Sequence, residues 1–398
     1  MTTPGAKTPF VAIACGGTGG HLFPGLAVAE QLKKRGCAVA LLISPKDVDQ
    51  EAVKSASGME VITLPAVALQ NRNYLSFARS FWQSWRAARK LFQSRPPQAV
   101  LAMGGFTSAP PILAAGKFDA RTFLHESNTI PGRANRFLAR FVQEAFIGFP
   151  SAAGLRARKV TATGTPVRPQ FQPANPGPCR AGFRLDPDRQ TILVMGGSQG
   201  AGGINDLILS ALPLLGSRTA TWQWLHLAGP ADVEKVAQAY ATRGFKAVVK
   251  PFIAEMDMAL GAATMAVSRA GASSLAEIAA VRLPSLLVPY PAAADNHQLS
   301  NARAFESTGA ARLLEQRNAT PEKVAALLGE LVEGLPARAK IQAALAQWHA
   351  PRAAEQIADI MLSAIAQHQA EVAARPHPPS CSCGGAHTSS RHPASPDA

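Results

Sequence analysis

Short apolar runs separated by longer mixed stretches recur along the first part of the chain. We predict buried strands at residues 10–14, 38–43, 61–64, 98–103 and 121–124. The stretches between these runs are long enough for a helix or contain a glycine or proline loop. Because strands that alternate with helices assemble into parallel sheets with helices on both faces, the pattern predicts an α/β domain.

The same alternation restarts after a proline-rich segment. Residues 164–187 contain six prolines and little periodicity, which is typical of a linker. Beyond this segment we predict strands at residues 191–195, 224–228, 247–250, 265–267 and 283–289. We therefore predict two Rossmann-like parallel-sheet domains that face a cleft, residues 1–165 and residues 166–350. A final helix at residues 352–368 is expected to return to the first domain.

A glycine-rich loop follows the first strand of each predicted domain, GGTGGH at residues 16–21 and GGSQGAGG at residues 196–203. Neither loop is a dinucleotide fingerprint. In the first, Leu22 stands where the third glycine would be, and no acidic residue ends the next strand. Glycine lets a backbone approach a ligand closely, so we interpret both loops as walls of a site for a diphosphate or a sugar. The helix after the first loop is expected to begin near Pro24 and to end at Gly36.

Residues 268–301 carry the strongest ligand signal. Ser274 and Glu277 form a capping-box pattern, which predicts a helix start with free backbone N–H groups. The strand at residues 283–289 then leads into a polar loop with Asp295, Asn296, His297, Gln298 and Asn301. Ligands bind beyond the carboxyl ends of parallel strands, and helix N-termini attract anions. This segment therefore suits a phosphate-bearing ligand with hydroxyl groups, while a plain helix cap is the alternative for Ser274 and Glu277.

The chain has 40 lysines and arginines against 26 aspartates and glutamates, which gives a formal charge of +14. This balance favours an anionic partner, and composition does not choose among nucleic acid, a lipid surface and a phosphorylated metabolite. The five cysteines lack the spacing of a disulfide framework, which favours a reducing, cytoplasmic compartment. Residues 10–14 are too short for the apolar part of a signal peptide, and glycines and prolines interrupt the uncharged residues 96–116. We therefore expect no membrane-spanning segment.

Residues 375–398 are rich in proline, serine, histidine and glycine, and we expect them to be disordered. Cys381 and Cys383 lie near three histidines in this tail. A C-x-C pair without helix or strand periodicity is a weak metal-binding signal. We therefore expect no functional metal site and no cofactor.

Three polar residues outside that segment are candidates for chemistry. His21 ends the first glycine loop, and imidazoles titrate close enough to neutrality to accept a proton from an attacking alcohol. A hydrogen-bonded structural role is the alternative for His21. Glu126 belongs to the sequence HESN at residues 125–128, which either follows a strand as a site loop or starts a capped helix. Arg168 can grip a phosphate with its planar guanidinium.

Seven motifs in order resemble those of the MurG family of N-acetylglucosaminyltransferases: GGTGGH, MGGFTSAP, HESN, GTPVR, MGGSQGA, RAGASSLAEIAA and DNHQLSNA. The resemblance implies a GT-B fold and an inverting, metal-independent transfer of N-acetylglucosamine (GlcNAc) from UDP-GlcNAc. The acceptor would be the 4-hydroxyl of undecaprenyl-diphospho-N-acetylmuramoyl-pentapeptide, and the product a β-1,4-linked disaccharide lipid for peptidoglycan synthesis. His21 or Glu126 would be the catalytic base. The resemblance also implies a peripheral location on the cytoplasmic face of the cell membrane.

By matching positions, the resemblance implies roles for residues that contact the donor. The backbone of Ile253 would hold uracil, and Glu277 would hold the ribose hydroxyls. Gln298 and the amide of Ala272 would contact the sugar. The full set of implied UDP-GlcNAc contacts is Thr18, Gly19, Gly20, Asn128, Arg168, Ser198, Ile253, Ala272, Ser273, Ser274, Leu275, Ala276, Glu277 and Gln298.

Residues 74–92 combine aromatic residues at helical spacing with four basic residues and no acid. An apolar stripe of this kind is usually core. Aromatic and basic residues without acids are also typical of a helix that lies in an anionic membrane surface, and we favour that interpretation. The predicted membrane contacts are Phe77, Arg79, Phe81, Trp82, Trp85 and Arg86, with Arg89 and Lys90 nearby.

Three alternatives fit the same sequence features. Another GT-B glycosyltransferase with a different lipid acceptor would share both domains. A UDP-GlcNAc epimerase would need no membrane-binding helix. A non-catalytic sugar-nucleotide-binding protein would bind the donor without turnover. Nucleic acid is not an expected partner under any of these readings.

Overall fold

The computed structural model describes residues 8–17, 19–46, 58–66, 74–150, 154–197 and 202–374. Thr18, Ser198 and the tail at residues 375–398 lie outside these ranges, so the predictions made for them stay predictions. None of the helices in the described ranges has the length and apolar character that a bilayer crossing needs.

The first sheet of the described chain consists of β1 (Phe10–Ala14), β2 (Ala38–Ile43), β3 (Glu60–Thr63), β4 (Ala99–Ala102), β5 (Arg121–Glu126), β6 (Glu144–Ile147) and β7 (Val160–Ala162). Its strands are parallel, in the order β3-β2-β1-β4-β5-β6-β7. The helices of this part are α1 (Gly19–Lys34), α2 (Tyr74–Ser94), α3 (Ala109–Ala115) and α4 (Arg133–Leu138). One apolar core layer includes residues of α1, and the other includes residues of α2, α3 and α4. The sheet therefore has helices on both faces.

The second sheet of the described chain consists of β8 (Gln190–Met195), β9 (Trp222–Leu227), β10 (Lys246–Lys250), β11 (Met265–Ser268), β12 (Ser285–Leu287) and β13 (Arg312–Leu313). Its strands are also parallel, in the order β10-β9-β8-β11-β12-β13. Its helices are α5 (Pro176–Gly182), α6 (Gly202–Ala211), α7 (Val233–Thr242), α8 (Met256–Ala262), α9 (Ala272–Val281), α10 (His297–Ser307), α11 (Pro321–Glu333) and α12 (Leu335–Trp348). The predicted α/β class with two Rossmann-like sheets is confirmed.

The last helix, α13 (Ala353–Ala373), leaves the second sheet and packs against the first. Ile357, Met361 and Ile365 are buried in the core layer that also contains α1. Arg35, just after α1, pairs with Asp359 at 2.8 Å. The described chain therefore passes between the two sheets once after β7 and once more after α12.

Two helix starts differ from the sequence prediction. Helix α1 begins before Pro24, which therefore lies inside the helix rather than at its start. Helix α9 has Gly271 as its N-cap, in an extended conformation (φ −68°, ψ 136°), without a side-chain capping bond. The capping-box prediction for Ser274 and Glu277 is therefore wrong, because Ser274 already lies in the first helical turn.

Several strand bounds also differ. Strand β5 extends through His125 and Glu126, which are buried strand residues rather than a loop. Strand β12 has three residues, where the apolar run at 283–289 predicted a longer strand. Strands β6, β7 and β13 were not predicted. These differences move HESN from a loop to the buried carboxyl edge of the first sheet.

Candidate active site

In each sheet, successive strands are first added on one side of the first strand and then on its other side. The glycine loops lie at the carboxyl ends of the strands where this order reverses. In the first sheet the reversal falls between β1 and β4, and in the second sheet it falls between β8 and β11. The carboxyl ends of these four strands lead into the two glycine loops, the turn at residues 104 and 105, and the start of α9. Open α/β sheets bind their ligands at such reversals.

The N-termini of α1 and α9 contact each other between the two domains. Ser273 Oγ, in the first turn of α9, donates a hydrogen bond of 2.8 Å to the carbonyl oxygen of Gly20, in the first turn of α1. That carbonyl is available because Pro24, four residues later, has no N–H to donate to it. Each helix N-terminus presents backbone N–H groups and a partial positive charge. Their junction is therefore suited to bind an anion such as a diphosphate.

Arg168 adds a full positive charge near this junction. Its guanidinium lies over the rings of Phe23 and Phe171, at 4.5 and 5.0 Å from their centroids. Its Nε is buried, and the described residues give that atom no hydrogen-bond partner. Because a buried donor without a partner is destabilising, the environment of Arg168 favours an anionic ligand.

Glu277 lies half-buried on α9, within the electrostatic reach of Arg168. Burial raises the pKa of the Glu277 carboxyl to about 7, the charge of Arg168 opposes this shift, and the charge of Asp257 adds to it. Hydroxyl groups of a ligand would donate to the ionised carboxylate and stabilise it. A ligand that carries hydroxyl groups would therefore lower the pKa of Glu277 and favour its ionised form.

His21 lies against a glycine turn that follows β4. Gly104 and Gly105 have φ values of 107° and 77°, a backbone region that favours glycine. A Cβ atom on Gly104 would lie 2.8 Å from Cε1 of His21, and one on Gly105 would lie 3.1 Å from its Cδ2. The two glycines therefore let the backbone pack directly on the imidazole and hold it at the carboxyl edge of the sheet.

Glu126 is buried and accepts four hydrogen bonds. Its Oε1 accepts from the backbone N and from Nδ2 of Asn128, at 2.9 and 3.0 Å. Its Oε2 accepts from the backbone N of Gly132 and from Nδ2 of Asn135, at 2.9 and 2.8 Å. With both oxygens engaged, Glu126 is placed to shape the loop between β5 and α4, which favours a positioning role over that of a base.

The neighbouring His125 is a neutral structural link. Burial is the main cause that lowers the pKa of His125 to about 4. Its Nε2 lies 3.1 Å from the carbonyl oxygen of Gly164, which can only accept, so Nε2 carries the proton. Its Nδ1 then accepts from Ser127 Oγ at 3.2 Å. His125 thereby fastens the end of β5 to the chain that leaves β7.

Asn301, on α10, joins the two domains beside the cleft. Its Oδ1 accepts from the backbone N and Oγ1 of Thr129, at 3.0 and 2.9 Å. Its Nδ2 donates to Asn128 Oδ1 and to the carbonyl oxygen of Ala270, at 3.0 and 3.1 Å. The sequence analysis placed Asn301 in a polar loop that binds a ligand, and the loop assignment is wrong for this residue, because Asn301 is buried within α10. The contact with Thr129 could not be predicted from local sequence, because the two residues are 172 positions apart. The only sequence signal for a role of Asn301 was its place in the DNHQLSNA motif.

Gln298 is oriented by two backbone groups of the second domain. Its Oε1 accepts from the backbone N of Ala270 and of Tyr290, at 3.3 and 2.9 Å. This orientation directs the amide NH₂ group away from those bonds, so it is suited to donate to a ligand. Ile253 is buried in the core of the second domain, in the loop that precedes α8.

The predicted donor contacts thus separate into groups. Those at or near the helix junction are Gly19, Gly20, Arg168, Ala272, Ser273, Ser274, Glu277 and Gln298. Leu275 and Ala276 line a small cavity with Phe149 and Trp348, and Ala272 lines the same cavity. Ala272 therefore belongs to the junction through its backbone N–H group at the start of α9.

Helix α2 exposes part of its aromatic stripe. Trp82 is 53% exposed and lies under the guanidinium of Arg86, at 4.6 Å from the ring centroid. Phe77 and Phe81 are half-buried. Trp85, another predicted membrane contact, is also half-buried and packs against the core of the first domain, and its membrane role stays a prediction. The exposed basic and large apolar side chains of α2 are Tyr74, Leu75, Arg79, Trp82, Arg86 and Lys90.

In the described ranges, no three histidine, cysteine, aspartate or glutamate side chains are grouped as metal ligands would be. The positive groups described above are instead helix N-termini and arginine. Their arrangement can hold a phosphorylated ligand by hydrogen bonds and charge.

Comparison with known proteins identifies the family. Residues 11–147 match the glycosyltransferase family 28 N-terminal domain, and residues 191–357 match the glycosyltransferase family 28 C-terminal domain. The UDP-N-acetylglucosamine–N-acetylmuramyl-(pentapeptide) pyrophosphoryl-undecaprenol N-acetylglucosamine transferase of Anaeromyxobacter dehalogenans is 36% identical over 363 aligned residues, and the match covers 89% of this chain and 92% of that protein.

Solved structures agree with this assignment. The crystal structure of Acinetobacter baumannii MurG matches with a TM-score of 0.68 and 27% identity, over 89% of this chain and 99% of that chain. A UDP-N-acetylglucosamine 2-epimerase matches with a TM-score of 0.67 at 13% identity, over 91% of this chain and 98% of that chain, which is a likeness of fold alone. The chain belongs to glycosyltransferase family 28 and, within it, to the MurG family, with the GT-B fold.

Proposed function

We propose that this protein transfers GlcNAc, with inversion, from UDP-GlcNAc to the 4-hydroxyl of undecaprenyl-diphospho-N-acetylmuramoyl-pentapeptide. The hydroxyl oxygen bonds to C1 of GlcNAc, the bond between C1 and the diphosphate oxygen breaks, and UDP leaves with the bonding electrons. The product is the β-1,4-linked disaccharide lipid for peptidoglycan synthesis. Membership of the MurG family supports this choice of substrates.

The observation that carries the proposal is the junction of α1 and α9 with Arg168 beside it. The diphosphate of UDP gains negative charge as the sugar leaves. Backbone N–H groups at two helix N-termini and a guanidinium with an unpartnered Nε can stabilise that charge in place. These groups supply the positive charge that a metal ion supplies in other transferases, so we expect transfer without a metal.

His21 is the proposed base. It lies in the first turn of α1, at the carboxyl edge of the first sheet, and takes the proton of the attacking 4-hydroxyl. Glu126 orients Asn128 and Asn135 around this position rather than accepting the proton, because its four acceptor bonds are already made. Of the two candidate bases predicted from the sequence, His21 is therefore proposed as the base and Glu126 as a positioning residue.

The donor is proposed to lie across the start of α9. Glu277 accepts hydrogen bonds from the ribose hydroxyls, and the amide group of Gln298 donates to the sugar. The backbone beside Ile253 holds uracil. Asn128, Thr18 and Ser198 are kept as further proposed contacts on the strength of the family motifs.

We further propose that the protein acts as a peripheral protein on the cytoplasmic face of the cell membrane. The acceptor carries an undecaprenyl chain, so its reactive sugar stays near the bilayer. The exposed apolar and basic side chains of α2 are the proposed contact with anionic lipid.

Release of UDP with and without acceptor separates the candidate functions. UDP-GlcNAc is incubated with the protein alone and with a short-chain analogue of the lipid-linked acceptor. A transferase releases UDP in proportion to disaccharide, and only when the acceptor is present. Epimerised UDP-GlcNAc in the sample without acceptor would support the epimerase alternative. Calorimetric binding of UDP-GlcNAc without turnover in either sample would support a non-catalytic binding protein.

A further inference from the structure

The second domain contains an open cavity of about 790 Å³ that is separate from the cleft. Its wall includes Gln190, Thr264 and Leu283, which lie at or just before the starts of β8, β11 and β12. The cavity is therefore at the amino-terminal edge of the sheet, opposite the edge that holds the candidate active site. Its volume is within the usual range of small-molecule sites.

Three arginines line this cavity, and no acidic residue does. Arg180 is only 9% exposed, and its guanidinium donates to the carbonyl oxygens of Ala262 and Pro187. Arg338 donates to Gln190 Oε1 at 3.3 Å. Within the described residues, none of the three arginines, Arg180, Arg282 and Arg338, forms an ion pair with an acid.

The charges of these arginines are incompletely compensated. Burial lowers the pKa values of Arg180 and Arg338, which means that their charged forms are poorly solvated. Asp188 and Asp186 act on Arg180 electrostatically from outside the cavity wall. Asp186 already faces Arg189 and Lys246, at 3.4 and 3.7 Å. An anion inside the cavity would therefore supply a charge that the protein itself does not place there.

The rest of the wall is largely apolar. Leu260, Val281 and Leu283 line it, and Leu335 at the start of α12 is 67% exposed there. A large exposed leucine beside arginines that form no ion pair with the described acids suits a ligand with both an apolar part and an anionic part.

We propose that this cavity binds a small amphiphilic anion, with a phosphate or carboxylate head between Arg282 and Arg338 and an apolar body against Leu283 and Leu335. The head makes charge-assisted hydrogen bonds with the two guanidinium groups. Arg180 adds positive charge from the buried side of the cavity. The site is independent of the donor and acceptor sites in the cleft.

Decyl phosphate, kept below its micelle concentration, is the probe for titration calorimetry with the full chain. We expect saturable binding at one site. Arg282→Asn combined with Arg338→Gln should weaken it at least about tenfold, because the anionic head then loses its charge-assisted hydrogen bonds to both guanidinium groups. Asparagine is chosen at position 282 because Arg282 has φ 55°. Arg243→Gln, an exposed arginine outside the cavity wall, is the matched control and should leave binding unchanged.

A second test variant and its control examine the apolar part of the site. Leu335→Ser should weaken decyl phosphate binding severalfold. Leu214→Ser, at an exposed leucine outside the cavity wall, should not. Unchanged melting temperatures and UDP-GlcNAc affinities show that each variant is folded. Arg180 is not substituted, because its hydrogen bonds to backbone carbonyl groups stabilise the fold of the second domain.

Two binding measurements, one with vesicles and one with decyl phosphate, distinguish a lipid headgroup from a free amphiphile. If the site takes a lipid headgroup, the double arginine variant also binds anionic phospholipid vesicles less tightly. If it takes a free amphiphile, vesicle binding is unchanged while decyl phosphate binding is lost. The proposal is overturned if the wild-type protein does not bind decyl phosphate, or if the double variant binds it as tightly as the wild type. Loss of binding on substitution of Leu75 and Trp82 alone would also overturn it, because the amphiphile would then lie on α2.

Discussion

The protonation state of Glu277 near neutral pH is set by its surroundings in the fold. Burial on α9 raises the pKa of its carboxyl to about 7, although Arg168 opposes the shift. The carboxyl is therefore largely protonated below that pH and ionised above it. Ribose hydroxyls donate hydrogen bonds, and an ionised acceptor receives them more strongly than a neutral one. Binding of the donor should thus be coupled to loss of a proton.

We predict that the affinity for UDP-GlcNAc rises as the pH increases from about 6 to about 8, on the order of tenfold, since one unit of pKa change corresponds to about 1.4 kcal/mol. Titration calorimetry measures this directly. UDP-GlcNAc is preferred to UDP because a terminal phosphate itself titrates near pH 6. Glu277→Gln should bind more weakly at high pH and show a flatter profile. If wild type and variant keep the same pH profile, another group is responsible.

His21→Ala should lower kcat by about 10²–10⁴-fold and change the KM for UDP-GlcNAc little, because general-base catalysis contributes about that much. Steady-state kinetics with a short-chain acceptor analogue measures both constants. Thermal unfolding is the control, since the imidazole also packs on Gly104 and Gly105. A variant that melts earlier but keeps nearly normal kcat would return His21 to a structural role.

Sequence reasoning could select His21, Arg168 and Glu277 as candidates because each belongs to a motif near a predicted strand or helix end. It could not find that Gly271 caps α9, because the spacing of Ser274 and Glu277 looks the same inside a first helical turn. Contacts made across the fold were equally hidden. The carbonyl that Pro24 leaves free accepts from Ser273, a residue 253 positions from that carbonyl in sequence.

At the scale of elements, α2 has one side buried in the first domain and one side exposed to solvent. Ser84, Ala88 and Phe92 are buried on the side that packs on the sheet. Leu75 and Trp82 are 86% and 53% exposed on the other side, among arginines. A helix with this division can rest on an anionic bilayer without giving up its contact with the core.

We predict that the protein binds anionic vesicles more tightly than neutral ones and that salt weakens the binding. Leu75→Ser combined with Trp82→Ser should reduce vesicle partitioning on the order of tenfold or more, because burying one large apolar side chain stabilises by about 1.5–3 kcal/mol. Vesicle sedimentation is the measurement. Leu214→Ser, at a leucine 47% exposed in the second domain, is the control.

The melting temperature of the α2 variant should stay close to that of the wild type, because both side chains are exposed. Unchanged partitioning of this variant would place the membrane contact elsewhere on the protein.

The elements that sequence reasoning missed have a physical explanation. Strand β6 begins with Glu144, an acid that the apolar pattern excludes from a buried strand. In the structure Glu144 is buried because Lys159 and Thr161 bind its carboxylate, at 3.0 and 2.6 Å. Strand β7 is a three-residue edge strand with exposed positions. The long apolar runs β1 and β2, by contrast, were predicted at the bounds that the structure shows.

At the scale of the whole molecule, a few polar contacts hold the two domains around the cleft. Asn301 binds Thr129, Ser273 binds Gly20, and Asp295 pairs with Arg136 at 2.8 Å. No local pattern predicts these pairs, because their members lie far apart in sequence. The two sheets and the cleft were predicted from the alternation of strands with helices, whereas the substrates rested on the motif resemblance.

We predict that transferase activity survives incubation with EDTA, because Arg168 and the N-termini of α1 and α9 supply positive charge at the diphosphate. The initial rate of UDP release is measured before and after chelation and dialysis. Arg168→Ala is the comparison variant, with an expected fall in kcat of about 10²–10³-fold, the loss typical for one electrostatic stabiliser. Loss of activity in EDTA with recovery in Mg²⁺ or Mn²⁺ would show that a cation takes part.

The linkage formed in the product tests the central claim most directly. The protein is incubated with UDP-GlcNAc and either a short-chain lipid-linked N-acetylmuramoyl-pentapeptide or its 4-deoxy counterpart, and the products are analysed by mass spectrometry and NMR. We predict a β-1,4-linked disaccharide from the first acceptor, one UDP released for each disaccharide, and no transfer to the second. An α linkage, transfer to the 4-deoxy acceptor, or UDP release without disaccharide would contradict the proposed function.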